Sequence, residues 1–229
     1  MGPVTQGEPE TPITDPPSRE GPPTRIRLIG RALNATVARA PWLWPVLKRP
    51  VTAYFDDLAV GWDERTDAPG ASYLAPLAVA VTKIDRRPER ALDIGTGTGV
   101  AALFLAREFP HASVRGVDIS ESMIRKAKAK VGLDPDARVA FRVADASQLP
   151  WDEGHFDLVT QLNMPPFFGE ISRVLRHGGH VIVAASAGER TPFYTPDAVL
   201  SRGFERYGFE TVKTGQIGSG SYFVARKGR

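Results

Sequence analysis

Asp93, Asp118 and Asp145 each close an apolar run, and the first is followed at once by Gly95, Gly97 and Gly99. Ala91-Leu92-Asp93-Ile94 reads as the end of a buried parallel strand, and Val100-Ala101-Ala102-Leu103 as the start of an apolar helix. Strand, glycine turn and helix together bring a ligand against bare backbone at a helix N-terminus. One glycine would serve a tight turn; three with an acid point to binding, because a Cβ there would block the ligand and disfavour positive φ. Asp118 follows Gly95 by 23 residues and is placed to accept from both hydroxyls of a ribose. Asp145 can accept from the exocyclic amine of a purine, with Ile119 and Ala146 on the ring faces, while Asp93 suits a cationic end. Jointly the acids describe a nucleoside with a positively charged appendage.

Such convergence requires a sheet that aligns strand ends. Strands are predicted near 91–94, 113–119, 138–144, 156–162 and 180–185, with helices at 100–109, 121–131 and 167–176. Ser120 reads as the N-cap of the second helix, and Gly178-Gly179 ends the third. Thr195-Pro196-Asp197 opens a further helix with Thr at the cap. Two last strands, 209–214 and 221–226, read as a hairpin around Gly215, Gly218 and Gly220. The fold class is therefore α/β: a doubly wound, mostly parallel seven-stranded sheet with a C-terminal antiparallel hairpin and an N-terminal helical arm and lid.

Three regions are expected. Residues 1–24, rich in Pro, Gly, Thr and Glu, form a disordered tail. Residues 25–50 form a basic amphipathic arm, with Ile26, Ile29, Leu33 and Val37 on one helical face and Pro41, Pro45 and Pro50 chopping the chain beyond them. Residues 51–229 form one Rossmann-like domain, beginning with lid helices at about 51–63 and 71–84. Between Gly21 and Phe55 lie six basic residues and no acid, which implies an anionic partner for this part alone. With Trp42 and Trp44 beside those charges, the arm has two readings: packed on its own domain, or lying on an anionic membrane surface. The chain has no cysteine and four scattered histidines, so no metal is expected. No apolar run approaches the ~20 residues of a membrane span, and no secretory signal is evident. A cytoplasmic location is expected, with peripheral attachment at the inner membrane face as the arm's second reading. The basic helix at 121–131 lacks interleaved aromatics, so no nucleic acid is expected as a partner.

The three acidic motifs, Asp93-x-Gly95-x-Gly97-x-Gly99, Val117-Asp118-Ile119-Ser120 and Ala144-Asp145-Ala146, resemble those of class I S-adenosylmethionine-dependent methyltransferases. Phe156-Asp157-Leu158-Val159 and the stretch from Glu170 to Gly179 resemble later motifs of the same family, closest in pattern to its small-molecule and quinone-pathway members. The resemblance implies S-adenosyl-L-methionine as cofactor. It places the methionine part at Asp93, Gly95, Thr96, Gly97 and Gly99, the ribose at Asp118, and the adenine at Ile119, Asp145 and Ala146. Gln161 and Leu162 would line the methyl-donor side, and Tyr54 would cover the cofactor's amino acid. A nicotinamide-dependent oxidoreductase fits less well, since its turn is G-x-G-x-x-G and residue 100 here is Val. A non-catalytic protein that keeps the cofactor site as a sensor or scaffold is the other alternative.

After the fourth strand comes Asn163-Met164-Pro165-Pro166-Phe167-Phe168, shorter than the His-containing link of many quinone-pathway members. It resembles an Asn-Pro-Pro-aromatic motif of amino-group methyltransferases, interrupted by Met164. The preferred reading is a stiff loop closing an apolar acceptor pocket with Trp62, Asn163, Met164, Phe167, Phe168 and Phe193. The acceptor implied is a small apolar or aromatic molecule. A sulfonium is already an activated leaving group, so in-line transfer needs alignment and water exclusion before it needs a base. No catalytic dyad is evident; Tyr194, His155 and Asp56 are the candidates for a base.

Overall fold

The computed structural model describes residues 24–66, 71–132 and 137–228, so the tail predicted for 1–24 lies, but for Thr24, outside the described residues. Seven strands form one sheet: β1 (Arg90–Ile94), β2 (Ser113–Asp118), β3 (Val139–Val143), β4 (Phe156–Leu162), β5 (Leu175–Ala185), β6 (Phe209–Ile217) and β7 (Gly220–Lys227). Their order is β3-β2-β1-β4-β5-β7-β6; the first five run parallel and β7 pairs antiparallel with both neighbours. The order reverses between β1 and β4, which places the switch point beside Asp93 and the glycine turn.

Alternation along the central strands splits the core between the two faces of the sheet. Val159, Val181 and Phe223 pack on one face with Phe204, while Leu158, Ile182 and Val224 pack on the other with Leu77 and Leu105. The helices that cover these faces are α4 (Ala71–Val81), α5 (Val100–Glu108), α6 (Glu121–Val131), α7 (Phe168–Val174) and α8 (Asp197–Glu205). Ser120 caps α6 as its sequence suggests, its hydroxyl accepting from the Met123 N–H at 3.1 Å. Ahead of them stand α1 (Thr24–Arg39), a short 3-10 turn (Pro41–Leu43), α2 (Trp44–Leu58) and α3 (Trp62–Thr66). Together these form a roof over the strand ends.

Three local expectations are corrected. Only Pro41 breaks the arm; Pro45 sits in the first turn of α2, where its missing N–H is harmless, and Pro50 lies inside a helix that continues to Leu58. The helix expected to reach Arg176 ends at Val174, because Leu175 already pairs with Phe156 and starts β5. Pro196 occupies the cap position of α8 with no side-chain hydrogen bond, while the Thr195 hydroxyl accepts from Asn34 Nδ2 at 3.0 Å. Thr195 thus fastens α1 to the domain.

Candidate active site

A cavity of about 560 Å3 lies between the carboxyl ends of the parallel strands and the roof. Ile94 and residues Gly95 to Thr98 form its floor on the β1 side, with Val117, Asp118 and Ile119 from β2 and its loop. Leu162, Asn163, Met164 and Phe167 line the β4 side, and Phe193 comes from the loop after β5. Leu33, Trp44, Tyr54, Phe55 and Trp62 close it from the roof. Most of this wall is apolar.

The glycine turn has left-handed φ at Gly95, Gly97 and Gly99, of 71°, 54° and 86°. Each serves a different purpose. A Cβ on Gly99 would fall 2.6 Å from the Phe141 ring, so this glycine lets the turn pack on β3. Gly97 is bare toward the cavity, with Trp62 Nε1 3.9 Å from where its Cβ would lie. Gly95 differs from expectation: the Met164 sulfur lies directly against the position its Cβ would take. The open backbone is therefore at Gly97, and Gly95 is covered by a flexible thioether.

The three acids take three environments. Asp118 lines the cavity, accepting from the Gly97 N–H through Oδ2 and the Ser120 N–H through Oδ1, each at 2.9 Å. Burial pushes its carboxyl above the ordinary range, against the pull of those backbone donors. Asp93 lies at the end of β1 with only 1% of its surface exposed. Its Oδ1 accepts from the Thr160 hydroxyl at 2.9 Å and its Oδ2 has no hydrogen-bond partner. Burial, reinforced by nearby Asp118, raises this carboxyl to about 6. Asp145 is already taken: Oδ1 accepts from Trp44 Nε1 at 2.7 Å and from the Ser147 hydroxyl at 2.7 Å, and Oδ2 pairs with Lys48 at 3.2 Å. Its flanking Ala144 and Ala146, not Asp145, face the cavity.

Similar carboxylate ties hold the roof at each of the first three strand ends. Asp63 of α3 accepts from the Thr98 hydroxyl beyond β1 and pairs with Lys130. Asp56 of α2 accepts from the Ser120 hydroxyl at 2.6 Å and the Ser122 N–H at 3.1 Å beyond β2. The third tie is Trp44 and Lys48 on Asp145 beyond β3. Trp44→Phe leaves an aromatic ring on the side of Phe167, which the indole meets edge-on at 5.2 Å, but removes the indole N–H. Its expected effect is a loss of about 1–2 kcal/mol, read from the urea unfolding midpoint, since a charge-assisted bond to a half-buried carboxylate is lost.

The sequence over residues 91–179 matches the family model of a methyltransferase domain. That stretch carries the glycine turn, Asp118 and the switch point. This chain belongs to the class I S-adenosylmethionine-dependent methyltransferases. It is 40% identical over 111 residues to a demethylmenaquinone methyltransferase of Thermus thermophilus, covering 44% of this chain and 48% of that one. To the demethylmenaquinone methyltransferase of Clavibacter sepedonicus it is 32% identical over 171 residues, 70% of this chain and 66% of the relative. A malonyl-[acyl-carrier protein] O-methyltransferase of Geobacter sulfurreducens is 39% identical over 99 residues, 40% of this chain and 36% of the relative. The chain thus spans between about a third and two thirds of these curated relatives. Among solved structures, geranyl diphosphate C-methyltransferase from Streptomyces coelicolor A3(2) superposes with a TM-score of 0.56 at 16% identity, covering 67% of this chain and 78% of that one. A chain of the Haloferax volcanii Trm112–methyltransferase complex gives 0.63 at 18% identity, over 76% of this chain and 98% of that one. These likenesses show the fold.

Within this methyltransferase, the sequence-predicted residues divide. The cavity gathers Gly95, Thr96, Gly97, Asp118, Ile119, Ala146, Leu162 and Tyr54, and on its other side Trp62, Asn163, Met164, Phe167 and Phe193. Asp93, Gly99 and Gln161 do not line it: Asp93 is buried at the end of β1, Gly99 packs on Phe141, and Gln161 turns inward to donate to the Pro165 carbonyl at 3.2 Å. Phe168 likewise turns into the core, edge-on to Phe204 at 4.8 Å. None of the three candidate bases lines the cavity. Asp56 is a roof tie, held below the usual carboxylate range chiefly by the Ser120 hydroxyl. His155 lies in a separate groove with Trp151, Glu170 and Arg173, where desolvation lowers it below an ordinary histidine. Tyr194 faces away, its ring 5.0 Å beneath the Arg31 guanidinium.

Sequence reasoning missed Tyr73, Trp44 and Arg190, all on the cavity wall. Burial raises the Tyr73 phenol to about 12, against a hydrogen bond with the Asn163 side chain. It therefore stays a proton donor at neutral pH. Asn163 itself is fixed at a left-handed φ of 60°, its Oδ1 accepting from the Ser186 N–H at 2.8 Å. The sequence had placed Asn163 in the acceptor pocket by its motif, without its partners Tyr73 and Ser186.

Proposed function

We propose that the chain transfers a methyl group from S-adenosyl-L-methionine to a small apolar or aromatic acceptor. The observation that carries this reading is Asp118, fixed by two backbone N–H groups beside the open face of Gly97 in a largely apolar chamber. The residues fit the cofactor: Asp118 keeps lone pairs for the ribose hydroxyls, and the unpartnered Asp93 Oδ2 offers negative charge next to the turn. Ile119, Ala144 and Ala146 suit the adenine faces, while Asp145 is committed to the roof. Bound there, S-adenosyl-L-methionine supplies a sulfonium-activated methyl group for in-line displacement. Tyr73 and Asn163 sit where a polar acceptor atom can be held, and the aromatic roof excludes water. With the candidate bases outside the chamber, alignment carries the rate, and preformed anions or polarised carbon acids are the favoured acceptors. The test is formation of S-adenosylhomocysteine over a panel of phenols, quinols and amines. Turnover on phenols or quinols is expected; cofactor binding with no turnover on any member supports the sensor reading instead.

We further propose that the roof's outer side rests on an anionic membrane surface. Leu28, Ile29, Trp42 and Val46 are exposed by 64%, 69%, 72% and 74%, among Arg25, Arg39 and Arg49. Apolar groups interleaved with cations suit the lipid headgroup boundary. No helix among the described residues is long and apolar enough to cross a membrane. The chain carrying Trp42→Ser with Val46→Ser is expected to lose co-sedimentation with anionic vesicles while the parent chain pellets. Equal recovery in the supernatant for both would remove this partner. Deleting residues 1–50 is the poorer test, because it cuts α2 and discards Trp44.

A further inference from the structure

The charges that line the cavity are Asp118 and Arg190, alone among the described residues. They stand at opposite ends. Asp118 closes β2, whereas Arg190 belongs to a 3-10 turn (Gly188–Arg190) that follows β5. Strands β2, β1, β4 and β5 lie side by side, so three interstrand steps of ~4.8 Å separate the ends of β2 and β5 by roughly 14 Å. The nucleoside end is thus anionic and the acceptor end cationic.

The Arg190 backbone is held in place, while its side chain is exposed at the cavity wall and its guanidinium is unspent. Its loop is stapled to α1 at several points: Arg31 Nη2 donates to the Glu189 carbonyl at 2.7 Å, and Asn34 Nδ2 donates to the Tyr194 carbonyl at 3.1 Å. Gly30 allows that closeness, since a Cβ there would collide with the Pro192 backbone. The Thr191 hydroxyl accepts from the Ala187 N–H at 3.2 Å and locks the turn from within. Among the described residues Arg190 makes no ion pair and no side-chain hydrogen bond, whereas Arg31 beside it donates to the loop and lies over the Tyr194 ring. Its neighbours on the wall, Ile26, Leu33, Pro192 and Phe193, are apolar.

We infer that Arg190 is a specificity residue: the acceptor carries an anionic group, a carboxylate or phosphate, attached to an apolar body that lies along Ile26, Leu33 and Phe193. A guanidinium fork at a low-polarity wall pairs such groups in two parallel hydrogen bonds. Placing the anion at the β5 side leaves the apolar body extending toward Met164 and the methyl-donor side. This deepens the proposed methyl-transfer reading and rests on it.

The test uses two fluorescent probes with one aromatic body, 8-anilino-1-naphthalenesulfonate and the neutral N-phenyl-1-naphthylamine, on the full chain. Binding of each is measured for the parent, Arg190→Gln, and Arg202→Gln on the exposed side of α8. The parent and Arg202→Gln are expected to favour the sulfonate by about tenfold, a margin that shrinks with salt. Arg190→Gln is expected to erase that margin and leave the neutral probe's affinity unchanged. A margin that survives Arg190→Gln, or is absent from the parent, overturns the inference. Calorimetry with S-adenosylhomocysteine separates the two levels. If the parent fails to bind that nucleoside yet keeps an Arg190-dependent margin, the anion site stands and the methyl-transfer reading falls.

Discussion

Asp118→Ala is expected to weaken S-adenosylhomocysteine binding a hundredfold or more. Two charge-assisted hydrogen bonds to the ribose vanish, each worth roughly 1.5–3 kcal/mol. The Gly97 and Ser120 N–H groups also lose their acceptor, and the open side of the turn loses its definition. Asp118→Asn serves as the finer probe, because it keeps one acceptor oxygen but presents an N–H₂ to a backbone donor. Its affinity should fall between those of the parent and Asp118→Ala. Calorimetric titration reads both, with the urea midpoint confirming that each variant is folded. A dissociation constant unchanged in Asp118→Ala would move the ribose elsewhere.

Asp93 should dominate the pH behaviour of the ligand-free protein. Its folded value of about 6 lies above the ordinary 3.8, so the folded state holds this proton more tightly than the unfolded chain. The stabilisation is complete below pH 3.8 and is lost as pH rises through about 6. A difference of that size corresponds to about 3 kcal/mol by proton linkage. Asp93→Asn keeps the oxygen that receives the Thr160 hydroxyl and removes the buried charge. The variant should therefore be more stable than the parent at pH 8 by about 2 kcal/mol, with the gap closing toward pH 4. A ligand bearing positive charge beside Asp93 favours the ionised form. Its binding near pH 6 should release a proton, measured by titration in two buffers of different ionisation heat, and Asp93→Asn should abolish that release. A stability difference between parent and variant that is flat from pH 4 to 8 would refute the assignment.

What could be read in the sequence was what is local. The glycine spacing, the apolar runs of β1, β2 and β4, and the Ser120 cap all reflect neighbours along the chain, and they located the switch point and Asp118. The joint order of strands and the hairpin came from the same patterns. Contacts between distant residues were not legible. Nothing near Asp145 shows that an indole 101 positions away would take its carboxylate, and nothing near Gly95 shows that Met164 would cover it. Gln161 was misplaced because its amide is taken by the Pro165 carbonyl of the loop that follows, a contact that apolar patterning does not encode. Pro50 misled because its effect depends on what surrounds the helix, here a roof packed against strand ends. Tyr73 and Arg190 were silent because a lone phenol in an apolar helix, or a lone cation in a turn, acquires meaning only from the wall it joins.

The carboxylate ties of the roof have a consequence for traffic. A cover fastened separately at Thr98, Ser120 and Asp145 has no single hinge, so widening the chamber from the roof side means loosening one corner at a time. Asp56, Asp63 and Asp145 all sit below their ordinary values. Their grip is complete above pH 3.8 and is lost as pH falls through each lowered value, so that acid unfastens the corners.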